Sequence, residues 1–227
     1  FLGLRFHFPL LATISGRPEP EVFDSLLRLE SKGLIKEGKV DNTFDFCNSV
    51  IPAVLLDAAS PSEKRQTHLQ ICQSALAQDS EECDPFWLAW HFREAGEEAE
   101  ALRHLYLSAD RALASFSFAQ ATALYREILA SPEIMESLDI KVDSVEEKYA
   151  DALRFQGELE ESSRIYQDLL GRPSATSKAQ PIRLLRKLAM VKDAQGETPE
   201  SFELLKEAWK ALGLTPLDEI KGNWNLM

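Results

Sequence analysis

The sequence predicts a mainly α-helical chain: a small module with one short β-hairpin over residues 1–80, then stacked helical hairpins over residues 81–227. Three observations carry this reading. Apolar residues recur at helical spacing through most of the chain, one segment alternates with a period of two, and the C-terminal part repeats itself at an offset of 39 residues. With 227 residues and 44% hydrophobic content, the chain has enough apolar material to bury a core.

From Glu21, Val22, Leu26, Leu29 and Leu34 fall near helical spacing, with Pro18 and Pro20 ahead and Gly33 behind as start and stop signals. Beyond Leu34 and Ile35 comes the turn-prone pair Glu37-Gly38. Phe44 and Phe46 then alternate with Thr43 and Asp45, so strand is expected only between Leu34 and Phe46. Asn48 to Ala59 and Ser62 to Leu76 read as helices, with Pro52 in the first turn of the former, where a missing N–H costs least. Helix, hairpin and closing helices in this order predict a winged-helix-like module.

Beyond Asp84, the segment from Lys148 to Leu170 aligns with the one from Leu185, matching Ala150 to Ala189, Gly157 to Gly196, Ser162 to Ser201 and Tyr166 to Leu205. Ala89, Gly96, Ala101 and Leu105 repeat the pattern upstream, as do Ala109, Phe118, Ala121 and Tyr125. Small residues let paired helices approach, a Leu or aromatic fills the groove, and Gly ends the first helix. Such units bury their apolar faces only by stacking, which predicts a tetratricopeptide-like α-solenoid.

Charge and cysteine content narrow the function classes. Net charge is −12, and residues 1–80 carry 8 Lys+Arg against 10 Asp+Glu while the remainder carries 17 against 27. An acidic repeat region disfavours nucleic acid and anionic membrane as partners. Between Glu19 and Asp41, Arg28, Lys32, Lys36 and Lys39 face six acids, which argues against a DNA-reading helix. No apolar run has the length of a membrane span. Cys47, Cys72 and Cys83 form no framework spacing, which fits a reducing, cytoplasmic setting, and the opening on Phe1 without a signal peptide reads as a piece excised from a longer protein.

Catalytic or metal chemistry has few footholds. His68 and Cys72 lie four apart on one helix, but two ligands do not make a zinc site, and both read as partly buried in the core. His91 with Glu94, and His104, sit on amphipathic repeat helices and read as packing or solvated-face residues rather than an acid–base couple. The acidic runs Glu97-Glu98, Glu146-Glu147 and Glu158 to Glu161 read as charges at helix N-termini. Trp87, Trp90, Phe92, Tyr106, Phe116, Phe118, Tyr125, Tyr149 and Tyr166 read as repeat packing. The chain has no G-x-x-x-x-G-K-[ST] segment and no nucleophile, base and oxyanion set, so it reads as non-enzymatic.

Several motifs stand in order along the chain: Leu2-Gly3 with Phe6, Leu26 to Leu29 with Lys32-Gly33-Leu34-Ile35, and Phe44-Asp45-Phe46. They continue with His68, Ala89-Trp90-His91-Phe92 with Ala95-Gly96, Ala112 with Ala121 to Tyr125, and Ala208 to Gly213 leading into Leu214-Thr215-Pro216-Leu217. Together they resemble the region that follows the nucleotide-binding domain in large signal-transduction ATPases, including those fused to protein kinases or nucleotide cyclases. Where that family has a basic residue and then His in the wing strand, this chain has Asp45, Phe46 and Cys47. The resemblance implies ATP or a related nucleotide in an upstream domain, none in this chain, and a regulatory role. A protein or peptide is expected on the repeats, with Arg103, Tyr106, Arg154, Arg186 and Lys187 as partner-facing candidates on the concave side. The alternative class is a fragment of a DNA-binding transcriptional activator.

Overall fold

A computed structural model describes residues 5–77, 84–172 and 179–214. Leu2-Gly3, Cys83 and the Thr215 to Leu217 end of the resemblance lie outside the described residues. Packing divides the chain into two compact units, residues 1–105 and 106–227. Among the described residues there are three strands and twelve helices, the mainly α-helical architecture that the periodicity predicts.

In the first unit, β1 (Arg5–His7), β2 (Ile35–Glu37) and β3 (Thr43–Phe46) form an antiparallel sheet in the order β1-β3-β2. α1 (Phe8–Ser15) and α2 (Glu19–Ser31) lie between β1 and β2 in the chain. β2 and β3 are the expected hairpin. At its turn the Gly38 N–H donates to the Thr43 carbonyl at 2.8 Å, and a Cβ on Gly38 would sit 2.1 Å from the Thr43 hydroxyl oxygen, so only glycine fits. β1 departs from the expectation that strand is confined to Leu34–Phe46. Three residues inside an apolar run show no period of two, yet Phe6 pairs with Phe44, their rings 6.0 Å apart, and Arg5 makes two hydrogen bonds to Asp45, at 2.7 and 3.1 Å. Phe6, Leu26, Ile35 and Phe44 form the buried centre of this winged-helix-like module.

α3 (Val50–Ala58) buries none of its residues although it is the most apolar helix by sequence. It closes loosely over an apolar cavity of about 290 Å³ that Leu11, Leu29, Phe46, Leu55 and Ile71 help to line. α4 (Pro61–Ala77) packs on α5 (Pro85–Ala95) through Cys72, Ala75, Leu88 and Phe92, with Ala101 of α6 (Glu98–Ala114). That shared core draws the first hairpin into the first unit, and the division between the two units falls inside α6. α5 starts cleanly because the Asp84 carboxylate accepts from the Phe86 N–H at 3.1 Å and Pro85 follows it.

The second unit continues with α7 (Phe118–Leu129), α8 (Pro132–Ser137), α9 (Val142–Gln156), α10 (Leu159–Gly171), α11 (Ala179–Ala194) and α12 (Thr198–Ala211). Ala150, Tyr166, Leu169, Leu184, Leu188 and Val191 build one core across α9, α10 and α11. Four successive hairpin turns share one hydrogen-bond pattern. One residue of each turn donates its N–H three residues back and the next donates five back, at Gly96-Glu97, Phe116-Ser117, Gly157-Glu158 and Gly196-Glu197. Seven residues before each turn stands a buried alanine, Ala89, Ala109, Ala150 or Ala189, and five residues after it a buried Ala101, Ala121, Ser162 or Ser201. These are tetratricopeptide-like hairpins, with α6 serving as second helix of one and first helix of the next. Three of the turns place glycine at positive φ; the α6–α7 turn places Phe116 there, at φ 62°.

Candidate interaction face

The first helices of the hairpins in the second unit are tied together by a repeating set of polar side chains. Asp110 on α6 accepts from the Tyr125 hydroxyl of α7 at 2.6 Å and from Lys148 of α9 at 2.7 and 2.8 Å. Lys148 also donates to the Tyr106 hydroxyl at 2.8 Å. One hairpin on, Asp151 of α9 accepts from the Tyr166 hydroxyl of α10 and from Lys187 of α11, each at 2.6 Å, and Lys187 also donates to Glu147 at 2.7 Å. Asp110 and Asp151 hold the same register position, six residues before Phe116 and Gly157; Tyr106 and Glu147 each stand one helical turn earlier. In each step a lysine from the next first helix bridges the two positions. In the third hairpin those positions carry Arg186 and Met190, and the ladder ends.

Burial gives these contacts their weight. It opposes ionisation of the Glu147 carboxyl, but Arg183, with two hydrogen bonds of 2.7 Å, and Lys187 outweigh it and hold that carboxyl below the usual range. Burial likewise disfavours charge on Lys148, and Asp110 with Tyr106 overcomes it, raising the ammonium above its ordinary value. Burial first, and the neighbouring aspartate second, push the Tyr125 hydroxyl far up; Tyr166 is raised for the same two reasons. Both phenols therefore remain neutral donors. Tyr149 adds a further link, accepting from Arg126 at 3.2 Å and donating to Glu161 at 3.0 Å.

The five partner-facing candidates separate in this geometry. Tyr106 and Lys187 are rungs of the ladder, and Lys187 is only 15% exposed. Arg103 is exposed on the part of α6 counted with the first unit, 3.5 Å from Glu100. Arg186 is exposed and has no ion pair among the described residues. Arg154 lays its guanidinium 4.0 Å above the Phe155 ring, with a buried Nε that has no hydrogen-bond partner. Sequence reasoning missed Asp110, Glu147, Lys148 and Asp151. Glu147 was expected at a helix N-terminus, but α9 starts at Val142 with Asp143 as its first-turn acid, which puts Glu147 mid-helix and buried. The signal available was the repeat phase, in which Lys148 aligns with Lys187.

The titratable groups singled out in the first unit are packing elements. His68 and His91 share a hydrogen bond between their Nδ1 atoms at 2.9 Å, and the His91 ring sits between Trp87 and Trp90 at 4.2 and 4.7 Å. Cys72 is buried with its Sγ 3.9 Å from the Leu88 carbonyl, and His104 stacks on Phe92 at 5.2 Å. Among the described residues no three His, Cys, Asp or Glu side chains gather where they could hold a metal ion, and no helix is long and apolar enough to cross a membrane. No protein-family model matches the sequence, and a search of curated proteins finds no relative.

Proposed function

We propose that this chain is the cytoplasmic, non-catalytic regulatory and protein-interaction region of a signal-transduction ATPase. In this reading the hairpins hold a protein or peptide partner, and its binding biases a nucleotide-binding domain upstream. The observation that carries the interaction role is the ladder. It fixes α6, α9 and α11 in register before any partner arrives, so exposed groups such as Arg186 are displayed at set positions and less ordering cost remains on binding. In the same ladder Asp110, Glu147 and Asp151 serve as structural ion-pair partners, which supports the non-catalytic reading. The ATPase context rests on the resemblance alone.

The rival class, a DNA-binding activator, is tested with this chain by itself. Labelled duplex pools are titrated at low and moderate salt, with Arg28→Glu as control. The expected result is no binding tighter than the roughly 10⁻⁴ to 10⁻⁶ M of non-specific contacts at physiological salt. Nanomolar, sequence-selective binding lost in Arg28→Glu overturns the interaction reading and installs the activator.

A further inference from the structure

Phe116 is out of place by every local rule of its own repeat. It occupies the turn position that three sibling hairpins give to Gly96, Gly157 and Gly196, and it makes the same pair of helix-ending hydrogen bonds. At φ 62° a phenylalanine carries backbone strain that glycine avoids, since its Cβ crowds the carbonyl in the left-handed region. Burial does not compensate, because the side chain is 77% exposed, the highest value of any large apolar residue described. The expectation that Phe116 packs between repeats is therefore corrected. Among the described aromatic contacts its ring meets one neighbour at the edge: Phe118 at 6.0 Å, on which Phe155 from the end of α9 stacks at 4.7 Å, itself half exposed and covered on one face by Arg154. Strain held in place at a solvent-facing apolar residue points to a use outside the fold.

The charges around this patch select what it can meet. In a chain of net charge −12, the stretch from Arg111 to Arg126 contains no aspartate or glutamate. Arg111 lies in the last turn of α6 and Arg154 in the last turn of α9, the helix ends where cations are favoured, and α7 has no acid in its first turn. Of the acids closest in sequence to Phe155, Asp151 is already held by Lys187 and Tyr166, and Glu158 opens the following turn. We propose that Phe116, Phe118 and Phe155, with Arg154 over the Phe155 ring and Arg111 in the α6 turn that leads into Phe116, form a second docking site. Its partner is a protein segment presenting one large apolar side chain flanked by carboxylates. The surface lies at the hairpin turns rather than on the ladder face, so it stands or falls independently of the ATPase reading.

The test uses the full 227-residue chain. A displayed library of short segments, each with a fixed central Leu, Phe or Trp and randomised flanks, is selected against it. The best binders are then measured on the wild type, Phe116→Gly and Phe116→Ala, with thermal melts in parallel. The site predicts enrichment of Asp and Glu in the flanks and a loss of affinity of about tenfold or more in both variants. Phe116→Gly raises the melting temperature by about 2 to 4 °C as strain is relieved. Phe116→Ala, still at positive φ, does not. A lower melting temperature in Phe116→Gly makes the ring a structural element and overturns the proposal. So does enrichment of basic or neutral flanks, or unchanged affinity in the variants. Self-association of the wild-type chain that Phe116→Gly abolishes overturns it in favour of a second copy as the occupant.

Discussion

At the residue scale, the sharpest consequence of the packing is the buried histidine pair. His91 is fully buried, and burial first, with His68 against it second, pushes its imidazole down to about 3. Burial also lowers His68, against the opposing pull of Glu94. The unfolded chain takes up its proton near 6.5, so between about pH 6.5 and 3 the unfolded state binds more protons than the folded one. Stability present above 6.5 is therefore lost as pH falls through that window. Denaturant midpoints should drop between pH 7 and pH 5, before most carboxylates titrate, and His91→Phe should flatten that drop; parallel curves for wild type and variant would assign the effect elsewhere. Sequence spacing reads His68 as partly buried and leaves His91 between a packing and a solvated face. It could not pair them, because 23 residues and two different helices separate them.

At the element scale, the hairpins are legible because each turn is written locally: alanine, turn residue, small residue and large residue recur at fixed offsets around Gly96, Phe116, Gly157 and Gly196. The tight positions follow from that register. Ala150 is fully buried between α9, α10 and α11, and the Ser162 hydroxyl donates to its carbonyl at 2.8 Å. Ala150→Leu should overpack this contact and cost about 1 to 3 kcal/mol, whereas Glu160→Ala, exposed at the start of α10, should be near neutral. Equal melting shifts would show that the register is wrong. What the sequence did not disclose is of two kinds. β1 is three residues long and owes its existence to a partner strand about 40 residues away, so no local period announces it. α3 looks like a core helix by composition, but a helix becomes core only when something covers it, and Val50, Val54 and Leu55 stay exposed.

At the scale of the whole molecule, the functional reading rests on how polar groups are spent. The repeat geometry joins Asp110, Glu147, Lys148, Asp151 and Lys187 across hairpins and leaves Arg186 displayed. The ladder itself was only half legible, since the lysines align in the repeat while their acceptors are recognisable only once the helices are stacked. If these hairpins regulate an ATPase, the link between the two must be a coupling free energy, of the usual order of about 1 to 3 kcal/mol. The most direct measurement is nucleotide affinity of the expected upstream domain, produced with and without residues 1–227 attached. The account predicts that attachment shifts the nucleotide dissociation constant by about fivefold or more. Equal affinities in the two forms, each folded by thermal melt, would contradict it.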